Sequence, residues 1–162
     1  MTRQVLSAQQ VKITPDLEPW VRFLRAHAAI TRQLSARLEA QHGLTLSDYD
    51  VLVQLYFAPE RALRRVDLAR TVLLTASGIT RLLDGLQRSG WVEKRSCDSD
   101  ARVSYAALTE AGAAKFEAAS ASHRADIDEL FGSNFSEAEH RQLGELLGRL
   151  PLAETSPACS TE

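Results

Sequence analysis

The stretch from Val66 to Arg95, VDLARTVLLTASGITRLLDGLQRSGWVEKR, constrains the fold more than any other part of this chain. Its apolar residues first recur at helical spacing. Ile79, Leu82, Leu83 and Leu86 stand at i, i+3, i+4 and i+7, a single stripe along a helix over 76–89, with Ser77, Thr80, Arg81, Asp84 and Arg88 opposite them. Gly90 is the stop such a helix needs. The period then changes. WVEKR and RVSYAAL are short β-type runs joined by the polar loop SCDSDA. Upstream, residues 65–73 make a shorter helix with Leu68, Ala69 and Val72 inward, and a tight turn separates the two helices. Short helix, turn, helix and hairpin make a helix-turn-helix with a wing. The second helix of such a pair fits the major groove of DNA, with its N-terminal residues at base edges.

Helices flank this middle module. Residues 16–41 read as one long helix with Asp16 as N-cap, Pro19 in its first turn and Gly43 just past its end. Its stripe of Ile13, Leu17, Trp20, Leu24, His27, Thr31, Leu34 and Leu38 alternates steps of four and three, a heptad seam that seeks other helices. Ser47 and Asp50 match a capping box before a second helix that ends ahead of Pro59. After the hairpin, residues 109–131 make another long helix. Ser136 and Glu139 open a last one that runs to Leu150, before Pro151. The expected class is mainly α with a small β-hairpin wing (α+β), as one domain over 1–162. Residues 1–14 and 152–162 read as tails, and 45–108 as the winged module.

Charge enters through its distribution. The net charge is −2, yet residues 60–102 hold nine basic and six acidic groups, so a net +3 middle sits between arms summing to −5. That asymmetry suggests a polyanionic partner. No apolar run approaches the ~18 residues of a membrane span. The N-terminus lacks the apolar core of a signal peptide. Two cysteines, Cys97 and Cys159, make no disulfide framework, so a reducing cytoplasm is the expected compartment.

From about Trp20 to Leu150 the chain resembles the MarR family of winged-helix transcription regulators. The resemblance rests on GLTLSDYDVLVQL, on VDLARTVLLTASGITRLLDGLQRSGWVEKR and on DSDARVSYAALTEAG, with its acidic wing, its arginine and the LT-x-x-G that opens the next helix. The family wing often reads D-x-x-D-x-R. Here Asp98-Ser99-Asp100-Ala101-Arg102 compresses it, and Ala101 stands where a second arginine is common. The resemblance implies a homodimer, with helices over 16–42 and 109–151 forming the dimerisation region. It implies a sequence-specific regulator, a repressor of a palindromic operator, released by a small phenol or aromatic acid, and no cofactor. Two-fold symmetry sets half-sites about one helical turn, ~10 base pairs, apart.

The residues expected at DNA follow from the module. Thr75, Ser77 and Thr80 offer hydroxyls near the N-terminus of the second helix, and Arg81 suits a two-pronged contact to guanine. Arg64, Arg65, Lys94 and Arg95 suit phosphates, which position without specifying. Arg102, steadied by Asp100 or Asp98, suits the minor groove. For Arg64, Arg65, Lys94, Arg95 and Arg102 the alternative is a solvated surface charge.

For an effector, the resemblance points to the crevice between the dimerisation helices and the winged module. Trp20, Arg22, His27 and Thr31 on the first long helix are the candidate lining. The alternative is a core tryptophan and a buried, satisfied histidine. Asp50 is the candidate acid partner of Arg81 in a link that a bound acid would break, set against its capping role.

Other chemistry finds little footing. The four histidines have no paired spacing, and Asp98-Ser99-Asp100 fails as a calcium loop because Arg102 and Val103 occupy the next ligand and glycine positions. Cys97 beside Arg95 is a candidate redox thiol, opposed by Asp98. A protein-interaction module is the competing class. An enzyme is not expected, since no nucleophile–base pair, phosphate loop or metal cluster stands out.

Overall fold

In the computed structural model, residues 15–72, 76–96 and 104–151 are described. Ile13, Thr75, Cys97, Asp98, Asp100, Arg102 and Cys159 lie outside them. The first helix, α1 (Glu18–His42), begins two residues after the expected cap. Leu17 holds the N-cap position and no side chain caps it, so Asp16 does not serve as one. Pro19 takes the first turn, where its missing N–H goes unused. Gly43 ends the helix at φ +62°, a conformation that glycine adopts without a Cβ penalty, and its N–H reaches the Glu39 carbonyl. The heptad seam of α1 enters this protomer's core only near its end. Leu38 is buried and Thr31 and Leu34 are half-buried, whereas Leu17, Trp20, Leu24 and His27 are exposed.

Helix α2 (Leu46–Phe57) corrects the expected cap. The capping box is Thr45 with Asp48, not Ser47 with Asp50. The Thr45 hydroxyl accepts the Asp48 N–H at 3.1 Å, and Asp48 Oδ2 accepts the Thr45 N–H at 2.9 Å. Both pairs have the right spacing. Leu44 decides between them. It is fully buried immediately after Gly43, and Thr45 follows in extended backbone, the geometry of an N-cap.

A 3₁₀ turn (Pro59–Arg61) leads into a strand that the sequence did not announce, β1 (Ala62–Arg64). Three residues cannot show an alternation. Arg61 braces the turn, with its guanidinium 5.1 Å from the Tyr56 ring centre and 3.4 Å from Glu110. Helices α3 (Arg65–Thr71) and α4 (Ala76–Arg88) follow, then β2 (Val92–Ser96) and β3 (Ser104–Leu108). The sheet is antiparallel in the order β1-β3-β2, so the wing hairpin is anchored along one edge by β1. Helix α5 (Glu110–Leu130), a 3₁₀ turn and α6 (Glu137–Leu147) complete the described chain. Ser136 and Glu139 cap α6 as a capping box. It stops at Leu147, three residues short of expectation.

The core gathers Leu52 and Leu55 of α2, Leu68 of α3, Leu83 and Leu86 of α4, Val92 and Leu108 of the wing's base, and Phe116 of α5. Helix α5 is the spine. Its Asp126 and Glu129 hold Arg37 of α1 at 2.6 and 2.8 Å, while its Ser120 and Glu117 accept the phenols of Tyr49 and Tyr56 of α2. No described helix is long and apolar enough to cross a membrane.

Candidate nucleic-acid interface

Helix α4 owes its orientation to a one-sided pattern. Ile79, Leu83 and Leu86 are buried and Leu82 packs against the same core. That burial leaves Thr80, Arg81, Asp84 and Arg88 exposed on the other side. Ser77 lies in the first turn of α4. The N-terminal half of the helix thus carries a hydroxyl and a guanidinium outward, with Asp84 one turn further along the same face.

The remaining predicted cations are disposed unequally. Lys94 and Arg95 are exposed on β2. Adjacent strand residues face opposite ways, so the two charges are presented on opposite faces of the wing. Arg95 is also held by Glu93 at 2.8 Å. Arg64 pairs with Asp67 at 2.6 Å. Arg65, expected at a phosphate, is half-buried, and its Nη2 is buried without a hydrogen-bond partner among the described residues. Thr75, Asp100 and Arg102 fall outside the described residues, as does Cys97.

The predicted effector residues do not converge on one point within the protomer. Trp20, Arg22 and His27 are exposed on α1 and Thr31 is half-buried. Trp20 and Thr31 are separated along the axis by about 16 Å, at 1.5 Å per residue, more than one aromatic ring spans. Arg22 pairs with Glu18 at 2.6 Å on the open surface. Phe23, not singled out in the sequence, stacks between Trp20 and His27 with ring centres 6.1 and 6.3 Å away. His27 is therefore no core histidine of this chain.

Freed of the cap role, Asp50 is half-buried, and burial pushes its carboxyl pKa up while a hydrogen bond with Gln54 draws it back. No ion pair joins it to Arg81 among the described residues. A cleft of about 340 Å³ opens elsewhere, where the α1–α2 corner meets the end of α4. Gly43, Asp48, Gly85, Leu86, Arg88, Ser89 and Trp91 line it, none of them an expected effector residue.

The buried histidine is His123 of α5, which the heptad reading of α1 had no means of finding. It lies 4.6 Å from the Tyr49 ring centre, and its Nδ1 is buried without a hydrogen-bond partner among the described residues. Burial holds its pKa below the usual value, with nearby Asp126 pulling the other way. No group of three or more metal-ligating side chains occurs among the described residues.

The site reading also missed the joint at the wing's base. Thr109 caps α5 by accepting the Gly112 N–H at 3.0 Å, and the same hydroxyl donates to the Gly90 carbonyl at 2.7 Å. The Thr109 N–H bonds the Trp91 carbonyl at 3.1 Å. Gly112 sits so near that carbonyl that an added Cβ would fall 2.0 Å from the Trp91 oxygen. The motif LT-x-x-G was the visible signal for this contact.

Comparison with known proteins gives this geometry a family. Residues 42–103 match the model of the MarR family. The chain is 28% identical to the HTH-type transcriptional regulator MhqR of Bacillus subtilis over 137 residues, 85% of this chain and 92% of MhqR. It is 32% identical to the HTH-type transcriptional repressor YetL of the same organism over 111 residues, 68% of this chain and 66% of YetL. The crystal structure of Sco3205, a MarR family transcriptional regulator from Streptomyces coelicolor in complex with DNA, superposes with a TM-score of 0.76 at 25% identity, covering 80% of this chain and 81% of Sco3205. With its three-stranded wing, its α3–α4 pair and its long flanking helices, this chain belongs to the MarR family of winged-helix transcriptional regulators.

Proposed function

We propose that the chain is a sequence-specific DNA-binding repressor that acts as a homodimer on a palindromic duplex and is released by a small phenolic or aromatic-acid effector. The observation that carries the DNA reading is α4, with its apolar face locked in the core and Thr80 and Arg81 turned outward. The DNA complex of Sco3205 supports it by likeness of fold, and the repressor YetL supports the sign of regulation. Ser77, Thr80 and Arg81, with Thr75 ahead of them, read bases. Lys94 and Arg95 meet phosphates, and Arg102, steadied by Asp100, enters the minor groove. Arg65 takes a phosphate role only at the edge of its half-buried position. The dimer reading rests on apolar side chains left open on α1 and α6, Trp20, Leu24 and Leu146 among them. A second chain is the occupant whose burial would stabilise them. Trp20, Arg22, His27 and Thr31, with Asp50, are the effector candidates once that second chain is in place.

The test is Arg81→Ala in the full chain, measured by fluorescence anisotropy on a duplex selected from a random pool. Loss of a bidentate base contact lowers specific affinity by roughly ten- to a hundredfold, about 1–3 kcal/mol. Affinity for unrelated duplex changes far less. Equal binding by parent and variant on the selected duplex refutes the assignment of Arg81.

A further inference from the structure

Helix α4 must be held at a fixed pitch if its residues are to meet base edges, and the described structure contains a device at its C-terminal end that does this. Gly90 and Trp91, the second and third residues after the helix, are each bonded on both sides. Their N–H groups reach back to the Gln87 and Leu86 carbonyls of α4 at 2.9 and 3.0 Å. Their carbonyls are both taken by Thr109, one by its hydroxyl and one by its N–H. Thr109 is also the N-cap of α5, through the Gly112 N–H. Lys115, further along α5, places its ammonium 5.0 Å from the Trp91 ring centre. Four hydrogen bonds, three between backbone groups and one from the Thr109 hydroxyl, thus join the end of α4 to the start of α5. The far part of α5 is itself fixed to α1 by Arg37 and to α2 by Tyr49 and Tyr56.

We infer that Thr109 is a positioning residue for DNA recognition: its hydroxyl bridge to the Gly90 carbonyl sets the angle of α4 against α5, and so the alignment of the base-reading face. The inference rests on the DNA-binding reading above and adds a residue that touches no DNA. Phosphate contacts depend on charge, and most of their affinity survives small tilts. Base contacts depend on geometry and do not. Loosening the bridge should therefore remove discrimination between sequences while leaving sequence-independent affinity in place.

The two jobs of the hydroxyl separate chemically. Thr109→Ser keeps both. Thr109→Asp keeps an acceptor for the Gly112 N–H, and a carboxylate suits a helix N-terminus, but it has no proton for Gly90. The probe is the duplex that the parental full chain enriches from a random pool, measured beside a scrambled duplex of equal length. Thr109→Ser is expected to match the parent on both within twofold. Thr109→Asp is expected to lose at least tenfold on the selected duplex and less than threefold on the scrambled one. Thr109→Ala, which removes cap and bridge without adding charge, is expected to lose discrimination in the same sense, and it carries the test if Thr109→Asp does not fold. Equal loss on both duplexes by Thr109→Asp means charge repulsion or general damage and overturns the inference, as does parental discrimination in Thr109→Asp or Thr109→Ala. If the parent enriches no duplex, the DNA-binding reading fails and this inference falls with it. If it enriches one that all the variants still discriminate, only the role of Thr109 is lost.

Discussion

Gly112 and His123 carry constraints that their neighbours impose. A Cβ at position 112 would meet the Trp91 carbonyl at 2.0 Å and Leu108 Cδ1 at 2.8 Å, and the nearer obstacle is backbone that cannot swing aside. Gly112→Ala is therefore expected to destabilise the fold by about 3 kcal/mol, the upper range for overpacking a tight site. Urea unfolding followed by circular dichroism measures it, and an unchanged midpoint would remove the close-approach argument. His123 makes a prediction about pH. Tyr49 of α2 faces its ring, Asp126 lies one turn along on α5, and Arg37 of α1 holds that carboxylate. Its pKa is lower in the folded chain than unfolded, so the unfolded chain takes the proton first as pH drops. The stability from neutral His123 is complete above its unfolded value near 6.5 and declines as pH falls below it. Glu129, held down by Arg37, and Glu139, held down by Ser136, add losses of the same sign only in the lower carboxylate range. Asp50, raised by burial, opposes them there. A fall in melting temperature between pH 6.5 and 5 is thus expected in the parent and reduced in His123→Phe. An equal fall in both would assign it to other groups.

At the scale of elements, caps and periods explain what could be read ahead of the structure. The apolar stripe of α4 was legible because its four apolar positions leave one possible buried face, and the change of period at Gly90 announced the wing. The start of α2 was misplaced by two residues because Thr45–Asp48 and Ser47–Asp50 both fit the capping pattern, and the burial of Leu44 that separates them is a tertiary fact. Strand β1 was invisible because Ala62, Leu63 and Arg64 become a strand only by pairing with β3. The structural partners of Thr109 were equally hidden, since Gly90 and Trp91 are distant in sequence. The cap assignment is testable. Thr45→Ala is expected to destabilise by about 1 kcal/mol, the usual loss on removing an N-cap hydroxyl. Ser47→Ala, in the first turn and exposed, should stay within about 0.5 kcal/mol. The reverse order in chemical denaturation would restore the cap first read from the sequence.

At the scale of the molecule, the open apolar residues on the long helices set the terms. Trp20 is 57% exposed, and Leu17 and Leu150 are about half exposed, all on the terminal arms of the described chain. The second chain of the proposed dimer would cover these positions together. Trp20→Glu with Leu24→Glu is expected to convert a dimer to a monomer in sedimentation velocity and to weaken operator binding more than tenfold. A parent that already sediments as a monomer at micromolar concentration would contradict the dimer. The central claim is that two copies of α4 read a two-fold-related sequence, and selection of the full chain against a random duplex pool tests it most directly. The account predicts enrichment of an inverted repeat with half-sites about one helical turn apart, bound by two chains, with affinity falling steeply as salt rises. Enrichment of no sequence, or equal affinity for every duplex at low salt, would contradict it.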